Sequence, residues 1–175
     1  KSDVTIADEM NRPLFVQKNV EFPNYFSTLA KKIVASRYFY GEKDTAEREK
    51  SFKDLVERVS DTYGKWALKQ GYLNEQESRI FKEEIANLTL TQRMSFNSPV
   101  WFNVGTDRYP SRRSKDKKEA YVIKGDKAIK IPKGQDHLYP QTSACFIQGL
   151  NDTMEDIMRL AVNEAMLFKY GSGTG

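Results

Sequence analysis

The chain has 175 residues, of which 39% are hydrophobic and 30% charged, and a formal net charge of +4. That length can bury a real core and suits one domain plus part of a second, with the composition of an ordinary soluble globular protein. No apolar stretch approaches a membrane span, and Lys1 to Arg12 lacks the apolar region of a signal peptide, so a cytoplasmic protein is expected.

Lys1 rather than Met opens the chain, which leaves room for residues upstream. Residues 1–22 place apolar side chains at Phe15, Val16 and Val20 without clear periodicity. Pro23-Asn24 reads as a helix start, followed by a helical stripe at Phe26, Leu29, Ala30, Ile33 and Val34. Arg37 to Asp44 is a connector whose trio Tyr38-Phe39-Tyr40 should pack onto the helices. A second helix carries Phe52, Leu55, Val56, Val59, Tyr63 and Trp66 on one face, with Gly71 where a C-terminal cap belongs. A third opens on Asn74 and Glu77 in capping-box spacing and runs through Ile80, Phe81, Ile85 and Leu88. Together these predict an N-terminal helical domain over residues 1–92.

The texture then changes. Ser95 to Gly105 (SFNSPVWFNVG) is apolar and aromatic, punctuated by Pro99 and Gly105, and shows no helical stripe. Arg108, Arg112, Arg113, Lys115, Lys117 and Lys118 follow as a dense basic cluster. Such a cluster would favour nucleic acid, but no nucleic-acid motif accompanies it, so a solvated loop is the plain reading. Ala120 to Ile131 alternates around Gly125-Asp126 and predicts a β-hairpin within 119–132. Thr142 to Leu150 (TSACFIQGL) reads as a buried strand. Asn151 to Phe168 is the clearest helix, with Asp152 and Glu155 in capping-box spacing and a stripe at Met154, Ile157, Met158, Ala161, Ala165 and Phe168. The run Gly171-Ser172-Gly173-Thr174-Gly175 reads as a turn leading onward, so the chain is expected to be a fragment.

Residues able to carry chemistry are few. Cys145 is the single cysteine, which excludes an internal disulfide and a cysteine-based metal site. His137 has no second His or Cys nearby to complete a zinc site. A thiol at a strand end can act as nucleophile or reductant, yet a lone intracellular cysteine also serves as a small buried hydrophobe. Asp152 is equally readable as a helix N-cap. Ser98-Pro99 offers a hydroxyl on a rigid turn, and the glycine run lacks the Lys-Ser/Thr of a Walker loop.

The order of the motifs is more informative than any one of them. RMSFNSPVWFNVG, then QTSACFIQGLNDTMEDIM, then FKYGSGTG resembles the first catalytic-domain segments of ribonucleotide reductase large subunits. The wording NSPVWFNVG and PQTSACFIQ, with a hairpin between, resembles the adenosylcobalamin-dependent (class II) branch, and the likeness spans Thr91 to Gly175. The resemblance implies an α/β fold (α+β overall). A helical domain would be followed, over 93–175, by the first part of a ten-stranded α/β barrel with an effector-site and dimer helix at 152–168. It implies that Cys145 is one of two thiols reducing the ribose, with Ser143 and Ala144 shaping that wall. Ser98 would contact substrate phosphates, flanked by Asn97 and Val100, and Ser172 and Gly173 would approach the substrate by their backbone. Asp152, with Thr153, would meet a deoxynucleotide effector. The implied partners are a ribonucleotide, an effector, the complementary C-terminal part of the enzyme and a second copy; neither membrane nor nucleic acid is expected. Adenosylcobalamin would be bound mainly by residues outside this chain, which alone should show no turnover. The competing readings are the large subunit of a metal-radical (class I) reductase, and a non-catalytic nucleotide-binding or interaction module.

Overall fold

The computed structural model describes residues 1–109, 121–132, 135, 138–169 and 172–175. Helix and strand are mixed in an α+β arrangement, and the strands among these residues form three separate two-stranded sheets. Strands β1 (Ser2–Ala7) and β2 (Pro13–Val20) make an antiparallel hairpin where the sequence shows no clear period. The reason is a register shift between Ser2 and Val4, opposite Asn19, which sits in the left-handed region at φ 57°. The extra residue breaks the alternation of β2, so Gln17 and Val20 both point inward.

Helix α1 (Thr28–Ile33) starts at the Ser27 cap rather than at Pro23-Asn24, and runs into a π-helical turn at Val34–Tyr38. Phe39 is buried, and Tyr38 packs against the same core, as the aromatic trio predicts. The hairpin exit is tied to the next helix: the Glu21 N–H donates to the Lys50 carbonyl (2.9 Å) and the Phe52 N–H to the Glu21 carbonyl (3.0 Å). Helix α2 (Phe52–Lys69) opens with a reciprocal Ser51–Asp54 capping box, and Gly71 follows it at φ 75°. Helix α3 (Glu75–Leu90) opens with the expected Asn74–Glu77 box. Each box satisfies two otherwise orphaned backbone donors.

Residues 95–105 differ from expectation. Ser98–Asn103 form a short helix, α4, with Pro99 in its first turn and the Asn97 side chain accepting from the Val100 N–H. Proline is tolerated in that first turn because its missing donor would be unpaired there anyway. Val100, Trp101 and Val104 join Val20, Leu55, Val59 and Phe39 in one core cluster. Segment 98–104 therefore packs into the same core as the helices before residue 92.

One cation organises this junction. Arg58, on the buried face of α2, has a fully buried side chain, and its Nε lies 2.7 Å from Oε1 of Glu49, itself 1% exposed. Its Nη1 and Nη2 donate to the carbonyls of Val104 (2.6 Å) and Trp101 (2.9 Å). Glu49 also accepts from the Tyr40 N–H (2.7 Å) and the Tyr109 hydroxyl (3.3 Å). Gly105, at φ 74°, closes the turn; a Cβ there would lie 2.5 Å from Thr62 Oγ1 and 2.8 Å from Arg58 Cγ. Only glycine suits that position.

The predicted hairpin is present as β3 (Tyr121–Lys124) and β4 (Lys127–Lys130), with Gly125 at φ 60° in the turn. Beyond it, β5 (Cys145–Phe146), α5 (Met154–Lys169) and β6 (Gly173–Thr174) form a strand–helix–strand unit whose two strands are parallel.

Candidate functional site

The arrangement centres on β5 and β6, two short strands held by the Gly173 N–H on the Ala144 carbonyl (2.8 Å) and the Gly175 N–H on the Phe146 carbonyl (3.0 Å). Cys145 pairs with Gly173 in register, and its thiol is free and exposed. The fit between them is close: a Cβ on Gly173 would lie 2.9 Å from the Cys145 sulfur. The missing side chain therefore makes room first for the thiol itself.

Thr142–Leu150 is not a buried strand. Only Cys145 and Phe146 pair, Phe146 is 40% exposed, and Ile147 is 93% exposed. The apolar character that predicts burial is real, but two paired residues on one edge leave the other faces of this segment open among the described residues.

Ser143, Ala144, Ser172 and Gly173 all gather around Cys145. Ser172 is buried at 7% exposure, its N–H donating to the Leu167 carbonyl at the end of α5 (3.0 Å). Gln141, which the sequence reading did not single out, ties them together. Its side-chain amide donates to the Ser143 carbonyl (3.2 Å) and to the Ser172 hydroxyl, while its backbone carbonyl accepts from Asn103 Nδ2 (3.0 Å). Thr174 adds a second tie, accepting from Gln148 Nε2 at 3.0 Å and donating to Glu164 of α5 at 3.5 Å.

Ser98 stands at the opposite end of α4 from Asn103. Its hydroxyl lies 3.1 Å from the Tyr38 hydroxyl. Asn97 is the cap of that helix and Val100 a core residue at 4% exposure, so the two flanking positions serve α4 itself.

The start of α5 corrects the expected capping box. Thr153, not Asp152, caps the helix, its hydroxyl accepting from the Asp156 N–H at 3.2 Å. The helix begins at Met154, which puts Asp152 one residue outside the cap, exposed to solvent. Along α5 no described residue is buried; Met154, Met158 and Val162 are each about three-fifths exposed or more, at 68%, 59% and 61%. The helix thus offers an uncovered apolar face.

Among the described residues, no group of three or more His, Cys, Asp or Glu could hold a metal ion. Arg108, the described member of the basic cluster, is engaged with the Arg58 carbonyl (3.3 Å) and Asp61 (3.7 Å). Arg112, Arg113, Lys115, Lys117, Lys118, His137 and Gly171 lie outside the described residues. No described helix is long and apolar enough to cross a membrane. An apolar cavity of about 530 Å³ lies elsewhere, between α1, α2 and residues 92–96, lined by Phe26, Val34, Phe52, Phe96 and Trp101 among others.

Residues 1–92 match a family model described as class II vitamin B12-dependent ribonucleotide reductase. A vitamin B12-dependent ribonucleotide reductase of Rhodopirellula baltica is 43% identical, the match covering 97% of this chain and 16% of that protein. The enzyme so named from Streptomyces coelicolor is 39% identical over 92% of this chain and 14% of its own length. That of Agrobacterium fabrum is 32% identical over 93% of this chain and 16% of its own. The chain thus spans about one-seventh of the length of the curated relatives it matches.

Proposed function

The chain belongs to the class II vitamin B12-dependent ribonucleotide reductase family, and from that premise we propose that it is the N-terminal part of an enzyme reducing ribonucleotides to 2′-deoxyribonucleotides. The observation that carries the proposal is the free, exposed Cys145 thiol, set among Ser143, Ala144, Ser172 and Gly173 where β5 and β6 begin. Cys145 supplies one of two thiols. Replacing the ribose 2′-hydroxyl by hydrogen consumes two electrons and two protons; two thiols give both, the hydroxyl leaves as water, and a disulfide remains. One cysteine cannot do this alone. The second thiol comes from the remainder of the protein, and this chain by itself has no turnover.

Around the thiol, the Ser143–Ala144 segment shapes one wall, and Gly173 lets the Ser172–Gly173 backbone approach the sugar. Ser98, at the start of a helix, contacts the substrate phosphates through its hydroxyl and backbone. Asp152 and Thr153 contact the ribose of a deoxynucleotide effector at the start of α5, and the uncovered face of α5 meets a second copy. The β5–α5–β6 unit is the opening of the ten-stranded barrel.

Adenosylcobalamin is the radical source of such an enzyme. The cavity between α1 and α2 is too small for a whole corrinoid, and the cofactor is held mainly by residues of the complete protein outside this chain. What these residues contribute is electrons, protons and substrate position.

The test is reduction of a ribonucleotide by the complete protein with adenosylcobalamin and a dithiol reductant. The wild type should form deoxynucleotide over many turnovers, and Cys145→Ser should abolish it. Multiple turnovers by the Ser variant would remove Cys145 from the redox role.

A further inference from the structure

We propose that Gln141 is a positioning residue, locking the Cys145 wall to the N-terminal unit and so setting the enzyme's affinity for its ribonucleotide. This rests on the reading of that wall given above. Gln141 is the one described residue that bonds both strand lead-ins and α4. Its amide nitrogen carries two hydrogens, and each has a separate acceptor: the Ser143 carbonyl before β5 and the Ser172 hydroxyl before β6. Its own carbonyl takes the Asn103 side chain from the last residue of α4. The positions bridged are those proposed above to face the substrate, and the Cys145 sulfur rests against the residue next to Ser172.

The far end of the tie is rigid. Asn103 sits between Trp101 and Val104, and both of their carbonyls are held by the buried Arg58, itself paired to Glu49. The lock therefore runs from a buried ion pair through the end of α4 to Gln141, and from there to both strands. The near end is soft: β5 and β6 share two residue pairs, and Gln141, Ser143 and Cys145 are solvent-exposed. A two-residue parallel pair fixes its own geometry weakly, and with Thr174 tying its far end to Gln148 and α5, the side-chain bonds at its entrance help set how far the two substrate-facing segments stand apart. The chemistry at position 141 is specific. Glutamate would keep the reach but lose both donors, and methionine keeps the volume without any donor.

The experiment uses the complete protein with adenosylcobalamin and a dithiol reductant, with CDP and CTP each assayed as substrate. Gln141→Met should raise KM about tenfold, since each lost bond is worth a factor of a few in binding, and any fall in kcat from a displaced thiol should accompany that rise in KM. Asn103→Ala should shift KM in the same direction by less. Adding Ser172→Ala to Gln141→Met should cost little more, because the two groups share one bond. A merely structural lesion would lower the folded fraction, and with it kcat and the melting temperature, at constant KM. That pattern, or unchanged kinetics, with Cys145→Ser inactive, overturns the role of Gln141 and leaves the redox reading standing. Turnover by Cys145→Ser, or none by the wild type, overturns both.

Discussion

Replacing Arg58 by methionine tests the claim that a buried cation anchors the end of α4. The variant keeps most of the side-chain volume but removes the charge and three hydrogen bonds: to Glu49 (2.7 Å), Val104 (2.6 Å) and Trp101 (2.9 Å). Glu49, at 1% exposure, is left as a buried carboxylate hydrogen-bonded to one backbone N–H and one tyrosine hydroxyl, with the neighbouring Arg48 guanidinium the positive charge that remains in range. Breaking a buried pair on one side costs about 3–5 kcal/mol, because the remaining charge cannot reach water. For a chain of this size that is a fall of roughly 6–20 °C in Tm. Urea unfolding followed by tryptophan fluorescence reads it directly, since Trp101 is buried and its carbonyl is one of the acceptors lost. Removing both charges, by Arg58→Met with Glu49→Gln, should cost less than the two single changes summed, by about 1–3 kcal/mol. A loss below about 1 kcal/mol for Arg58→Met alone would refute the anchoring argument.

Gly173→Ala should barely change stability, since the atom it meets is the Cys145 sulfur at the free end of an exposed side chain. The displaced thiol should nonetheless cost the complete enzyme tenfold or more in kcat, because misplacement by about 1 Å can cost about a hundredfold; unaltered turnover beside an unaltered melt would count against the geometry. Tyr109 is pushed up to about 12, first by burial and then by the neighbouring Glu49 carboxylate. Its folded-state value lies above the unfolded one, so the stabilisation is complete below pH 10 and is lost as pH rises from 10 towards 12. With allowance for partial exposure the loss is on the order of 1–2 kcal/mol. Denaturation midpoints at pH 9 and 11.5 should converge between wild type and Tyr109→Phe, and a constant gap would contradict the assignment.

The elements legible in the sequence were those whose signals are local. The α2 and α3 stripes, the Asn74–Glu77 box, and the Gly125-Asp126 turn each specify their element within a few residues. The first hairpin was hidden because a bulge at Lys18-Asn19 offsets its alternation. Helix α4 was hidden because six residues cannot display a full stripe and Pro99 reads as a breaker until it is placed in a first turn. Thr142–Leu150 failed differently: apolar composition reports a tendency to be covered, not what covers it. At α5 the cap lies one residue past the position the spacing predicts, since Asp152 and Thr153 are both good caps and it is Thr153 whose hydroxyl meets the Asp156 N–H.

Of the site, Cys145, Ser143, Ala144, Ser172 and Gly173 come together, which their wide separation in sequence does not reveal without the resemblance. Gln141 and Asn103 carried no signal, since an amide side chain in a polar stretch reads as solvent-facing. Arg58 did carry one. Ser51, Leu55, Arg58 and Thr62 recur at the spacing of a single helix face, and all four are buried. A charged residue in phase with a buried stripe is a reason to look for its partner.

Helix α4 is too short to persist in water by backbone hydrogen bonding alone, so its order comes from the core packing of Val100 and Trp101 and from a guanidinium belonging to another helix. Four positions distant in the chain are thereby bound into one unit: the cation at 58, the carboxylate at 49, the phenol at 109 and the bare α-carbon at 105 that leaves space for the arginine stem. A relative that has lost any one of them should have changed the others with it, and should fasten the serine that opens α4 by some different means.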